Sequence, residues 1–149
     1  MADRGNARIK VYTRDGDLVR VWGRAGKAGG EFKNPEGIAL ALTGTAEEVY
    51  VNDTANKRVQ VLSVDGVYSR QLQSRYTTGM AVSSRSGHLY TASWDSGVRE
   101  YGLGGSFVRQ WGSHGSGQGQ LDAPSGVAVS PVSGSVYVCD HDNNRIQVN

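Results

Sequence analysis

The sequence states one phrase twice. "VRVWGRAGKAGGEFKNPEGIAL", from Val19 to Leu40, returns as "VRQWGSHGSGQGQLDAPSGVAV", from Val108 to Val129. Trp22 and Trp111 stand 89 residues apart, and each lies 13 residues before a proline, Pro35 or Pro124. Two periods of about 44 residues account for that separation. A second phrase fixes the register: "VYVNDTANKRVQV", from Val49, matches "VYVCDHDNNRIQV", from Val136, and the chain opens on the tail of it, "DRGNARIKV" from Asp3. Aspartate and arginine are five apart in all three copies: Asp3/Arg8, Asp53/Arg58 and Asp140/Arg145. A worn copy, "LYTASWDSGVREY" from Leu89, has Ser93 in the aspartate position and lacks the arginine. Repeat starts therefore fall at 3, 53, 93 and 140, and residues 1–149 read as one repeat region whose first and last units are incomplete. Each period of a repeat chain is a supersecondary unit that buries its apolar face only by stacking on a neighbour.

Within a period the signals are those of strands: short runs rich in Val, Tyr and Trp, cut by Gly, Asp-Gly and Ser-Gly turns. The composition agrees, with 21 glycines but only 3 prolines, and no segment favours a helix. The first strand is "GIALAL", "GMAVS" or "GVAVS", the second "VYV" or "LYTA". The third is "RVQVL", "VREY" or "RIQV", and the fourth "LVRVWG", "SRQLQ" or "FVRQWG". Four strands in 40 to 50 residues is the pattern of a propeller blade, so the fold class expected is all-β.

The phrase Asp-x-x-Asn-x-Arg-(Ile/Val)-x-Val, followed by Asp-Gly, Trp-Gly and Pro-x-Gly-(Val/Ile)-Ala, resembles the NHL-repeat family. The resemblance covers essentially the whole chain and implies a β-propeller, usually six-bladed. The middle copy departs from it, since "SRYTTGMAV" has neither the glycine loop nor the proline.

Thirteen strands are expected: two, four, four and three. About three blades would leave blade faces bare, so the chain is expected to associate with itself, two copies closing a six-bladed ring as a homodimer. The expected role is a non-enzymatic binding or scaffold module whose partners are itself and other proteins.

The chemistry of individual residues supports that reading. The glycine loops lack the Gly-x-x-x-x-Gly-Lys-Ser/Thr spacing and the helix of a phosphate cradle; their glycines serve inter-blade turns. The Asp–Arg pairs recur once per blade, which marks them as structural ties, whereas a catalytic residue is needed once. Trp22, Trp111, Tyr50, Tyr90 and Tyr137 are expected to be packing aromatics, and Cys139, the one cysteine, a small strand filler. The family resemblance brings in amidating lyases that hold zinc through histidines, but His88 falls at the far end of a strand from His114 and His141, so no metal site, catalytic residue or cofactor is assigned. "DHDNNR" lacks the glycine and the glutamate of a calcium loop. Asn52 opens a glycosylation sequon, meaningful only in a secreted chain.

Charge is uneven. Residues 1–33 carry a net charge of +4 and the remainder −2. The loops after second and fourth strands share a face, which would gather Arg4, Arg24, Lys27, Lys33 and Lys57 as a candidate RNA-binding surface, opposed by Glu31, Glu36, Asp122 and Asp142. RNA is the second choice of partner and a lyase- or lactonase-like metalloenzyme the third. No apolar run is long enough to span a membrane and no secretory signal is legible, which favours a cytoplasmic chain.

Overall fold

The computed structural model describes residues 1–95 and 97–149, and Ser96 of the worn copy lies outside that description. The chain is all-β and divides into two compact units, Met1–Arg75 and Tyr76–Asn149.

The first unit opens with β1 (Ala2–Asp3), β2 (Arg8–Tyr12) and β3 (Leu18–Trp22), an antiparallel sheet in that order. The Asp15–Gly16 turn, with Gly16 at φ 93°, reverses β2 into β3. Next comes the glycine loop, which holds a short parallel pair, β4 (Arg24–Ala25) with β5 (Glu31–Phe32). A full antiparallel sheet follows: β6 (Pro35–Thr43), β7 (Ala46–Asp53), β8 (Arg58–Ser63) and β9 (Tyr68–Gln73). Ile9, Phe32, Val49, Val51 and Leu62 form its core, with Trp22 packed against them.

The second unit repeats the plan. β10 (Thr77–Ser83), β11 (His88–Ser93), β12 (Gly97–Gly102) and β13 (Phe107–Trp111) make one four-stranded sheet; β14 (Pro124–Val129), β15 (Val136–Asp140) and β16 (Arg145–Val148) make a three-stranded one. Tyr90, Val98, Leu121, Val136 and Val138 form the core. Between β13 and β14 the second glycine loop keeps only a single parallel bridge, His114 with Leu121.

The strands fall where the sequence places them, with three additions. β1 gives the first sheet a third strand, so the sheets have three, four, four and three. The β4–β5 pair lies inside a stretch read as pure turn. Two single-turn 3-10 segments, Arg4–Asn6 and Thr54–Asn56, occupy the Asp-x-x-Asn phrase; each ends on a left-handed residue, Ala7 or Lys57. In the worn copy the turn is one residue shorter. Ser93 pairs with Gly97 as Asp3 pairs with Arg8, so Gly97 takes the arginine's place. Its φ of 73° and the carbonyls of Trp111 and Gly112 beside its Cα leave no room for a side chain.

Two expectations are corrected. Tyr137 is exposed, whereas Tyr50 and Tyr90 are buried. Cys139 is exposed as well, because β15 turns Val136, Val138 and Asp140 inward and the alternate residues outward.

Candidate functional site

The arrangement common to both units is a polar clamp on the glycine loop. In the first unit Asp53 is fully buried at the end of β7. Its Oδ2 accepts from Asn56 Nδ2 (2.8 Å), Arg58 Nε (2.8 Å) and Gln60 Nε2 (3.1 Å), and its Oδ1 accepts from the Lys33 amide (2.6 Å). Those three side chains reach onward to the loop. Asn56 donates to the Gly26 carbonyl, Arg58 to those of Ala28 and Glu31, and Gln60 to that of Glu31, while the Gly30 amide donates back to Gln60 Oε1 (2.9 Å).

The second unit reproduces the set. Asp140 accepts from Asn143, Arg145 (2.7 Å), Gln147 and the Asp122 amide (2.7 Å). Asn143 reaches the Gly115 carbonyl, Arg145 those of Gly117 and Gln120, and the Gly119 amide donates to Gln147 Oε1 (3.0 Å). Burial opposes ionisation of Asp140, but the Asp122 amide, Arg145, Asn143 and Gln147 outweigh it and draw the carboxyl down to about 2. At the first copy Asp3 holds Arg8 Nε (2.8 Å), Asn6 (2.9 Å) and Lys10 Nζ (3.1 Å), and Arg8, then Asn6 and Lys10, hold its carboxyl well below the usual range.

The sequence singles out the Asp–Arg pairs as structural ties but gives no sign of Gln60 and Gln147. A buried carboxylate that orders three side chains and an amide sets the loop's shape. The loop amides a phosphate would need are engaged internally: those of Lys27 and Ala28 donate to Glu31 Oε2, and that of Gly117 to Gln120 Oε1. Phe32 and Leu121 plug the loops from beneath, each against a left-handed glycine, Gly23 or Gly112, where a Cβ would strike the plug.

All five candidate basic residues, Arg4, Arg24, Lys27, Lys33 and Lys57, belong to the loop and turns of the first unit and are exposed. Arg4 pairs with Glu36 (3.3 Å) and Arg24 with Glu31 (2.9 Å). Hydrogen bonds from the Ala28 amide, then from Arg24, hold the Glu31 carboxyl below its ordinary value. Asp122 and Asp142 belong to the second unit instead. The histidines are dispersed: His88 Nδ1 lies 2.5 Å from Glu100, His114 3.5 Å from Asp122, and His141 2.5 Å from Asp142. Among the described residues no three His, Cys, Asp or Glu side chains are grouped to hold a metal. Asn52 is buried, with its amide on Thr54 Oγ1. No helix among the described residues is long and apolar enough to cross a membrane.

The NHL-repeat family model matches residues 121–148, which hold the loop's plug, β14, β15, β16 and the clamp side chains Asp140, Asn143, Arg145 and Gln147. A relative of the same kind, NHL repeat-containing protein 3 of Homo sapiens, is 27% identical over an alignment covering 95% of this chain and 44% of that protein. Residues 121–148 match an NHL repeat. Among solved structures it is similar to a chain of Kuenenia stuttgartiensis hydrazine synthase (TM-score 0.66, 15% identity, 99% of this chain and 44% of that one). It is also similar to U3-55K (TM-score 0.62, 18% identity, 96% and 45%). At those identities the likeness carries the fold alone, which is that of propeller blades. The chain spans less than half the length of each of these proteins.

Proposed function

We propose that this NHL-repeat region is a non-catalytic protein-interaction module, and that two copies join to complete a six-bladed ring. One observation carries the reading. Within residues 1–149, β16 is the outermost strand of a three-stranded sheet and exposes Ile146 (58%) and Val148 (57%), whereas the matching residues of β8, Val59 and Val61, are buried in a sheet that has its fourth strand. An edge strand with unpaired backbone and bare β-branched side chains is a template for another strand. Light scattering after size exclusion is expected to give twice the chain mass of 15.9 kDa, and Ile146→Lys with Val148→Lys is expected to return the protein to the single-chain mass. A folded wild-type chain that stays at 15.9 kDa in dilute buffer defeats the proposal.

A second reading, RNA binding, is favoured by the distribution of charge. Of the four acids set against the five cations, Glu31 and Glu36 belong to the first unit with them, whereas Asp122 and Asp142 belong to the second. This reading requires binding to single-stranded RNA that falls steeply with salt and weakens when Arg24 and Lys27 are changed together. No binding at low salt removes it.

A further inference from the structure

The second unit contains a cavity of about 590 Å³, within the range of roughly 300–1,000 Å³ that small-ligand sites occupy. Its wall is Trp94, 55% exposed and held by Tyr76 with ring centroids 5.3 Å apart, and Leu121 and Pro124 give it an apolar base. Asp95, Asp122 and Asp142 line it together with His114, which lies 3.5 Å from Asp122, and among the described residues no lysine or arginine does. A large aromatic left bare to solvent is a contact surface unless something covers it, and a tryptophan face beside carboxylates attracts an organic cation through both the ring quadrupole and the charges.

The first unit contains an internal example of what fits. By repeat register Trp94 corresponds to Arg4, and Ser125 to Glu36. In the first unit the guanidinium of Arg4 crosses from the turn after β1 to the carboxylate of Glu36 at the start of β6. The surrounding charges change as well: Arg24 corresponds to the neutral Ser113, and Lys33 to the oppositely charged Asp122. The first unit therefore supplies its own guanidinium at this crevice. The second replaces it with a tryptophan and surrounds the space with carboxylates.

We infer that the Trp94 cavity binds the guanidinium of an arginine side chain presented by a peptide, stacked on the indole and paired with Asp122 and Asp142. Guanidinium is the cation suited to both contacts, because it is planar, stacks on aromatic faces and meets carboxylates through a fork of donors. The inference rests on the chain being a binding module, but the cavity lies within one unit, so a mass measurement decides self-association without touching it.

The experiment is calorimetric titration of the full chain with N-acetyl-Gly-Arg-Gly-amide and with its citrulline counterpart, which keeps the shape and loses the charge. The arginine peptide is expected to bind and the citrulline peptide to bind at least about tenfold more weakly. Trp94→Ala is expected to weaken the arginine peptide by about tenfold, and Asp122→Asn with Asp142→Asn by a similar factor. Trp94→Arg with Ser125→Glu, which rebuilds the first unit's internal pair, is expected to abolish binding. Thermal melts of each variant check that the fold survives, and Trp94→Phe, which keeps an aromatic face, is expected to retain most of the affinity. Equal binding of the two peptides, unchanged affinity in Trp94→Ala, or no heat from the arginine peptide at millimolar concentration overturns the inference.

Discussion

The two units are built on one scaffold and decorated in opposite senses. Asp53 and Asp140 hold their loops through the same four donors, and the loop carbonyls they reach correspond one to one. Around that shared clamp the first unit carries Arg24 and Lys33 where the second carries Ser113 and Asp122, and Arg4 where the second carries Trp94. The buried polar set is thus the part that shapes the loop, and the exposed positions around it are free to differ. A second pairing makes the same point inside the sheets. Tyr50 is anchored by Glu48, which Arg70 clasps through two nitrogens (2.5 and 2.8 Å); burial first, then Glu48, pushes its hydroxyl up to about 12. Tyr90 is anchored by Glu100, which Arg109 and His88 also bind. The acid has moved from the second strand of one sheet to the third strand of the other, with His88 standing where Glu48 stands, yet the tyrosine hydroxyl keeps a carboxylate partner.

The clamps differ in one respect that decides the largest effect. The Arg58 side chain is 9% exposed and that of Arg145 33%. Removing the counter-charge from a buried guanidinium leaves an uncompensated ion, whereas a partly solvated one recovers hydration. Asp53→Ala is expected to destabilise the protein by about 3–5 kcal/mol and Asp140→Ala by about 1–3 kcal/mol in urea denaturation. Hydrogen exchange localises the damage: the Lys33 amide loses protection in the first variant and the Asp122 amide in the second. Equal costs would mean that burial of the arginine is not what separates the two clamps.

The register of the repeat made most of the blade strands readable, because tryptophan, proline, aspartate and arginine recur at fixed separations and each marks a strand end. The clamp was only half visible. Asp and Arg stand out as charges, but Gln60 and Gln147 look like ordinary polar residues on a strand, and only the loop's return over β8 and β16 makes them ligands of its backbone. Asn34, Tyr76 and Ala123 share a left-handed conformation just before β6, β10 and β14. Three unlike side chains at one backbone geometry give no compositional signal. The Trp94 cavity escaped notice for a related reason: the worn copy looked like a repeat that had lost its pair, while the structure shows a shortened turn that sets an aromatic beside the next loop.

Acid titration sharpens the comparison further. The carboxyl of Asp140 is depressed in the folded state, so it contributes stability at pH values above its unfolded pKa of about 4, and that contribution is lost as pH falls towards 2. Wild-type protein is expected to lose stability through this window, and Asp140→Asn, already lacking the charge, is expected to show a shallower acid limb in urea midpoints measured between about pH 4 and pH 2. The limb keeps some slope in the variant, because Asp3, Glu31, Glu48 and Glu100 are depressed too. Parallel curves for the two proteins would show that the clamp carboxylate carries no proton linkage.

The smallest effect on stability belongs to the decorated face, where exchange between units tests whether the charges act on partners alone. Arg24→Ser with Lys33→Asp gives the first unit the residues of the second at two exposed positions. The Lys33 amide, not its side chain, serves the clamp, and Arg24 meets Glu31 with most of its side chain in solvent. The exchange is therefore expected to change the urea midpoint by no more than about 0.5 kcal/mol equivalent. Its effect on a polyanion is expected to be larger in proportion: each cation withdrawn from a single-stranded RNA removes about 0.7 from the slope of log affinity against log salt, so losing two lowers the slope by about 1.4. Asp122→Lys with Ser113→Arg, the reverse exchange, is expected to raise it. If both exchanges leave the salt dependence unchanged while the clamp remains intact, the opposite charges of the two loops do not govern polyanion binding, and the distribution that favours RNA loses its support.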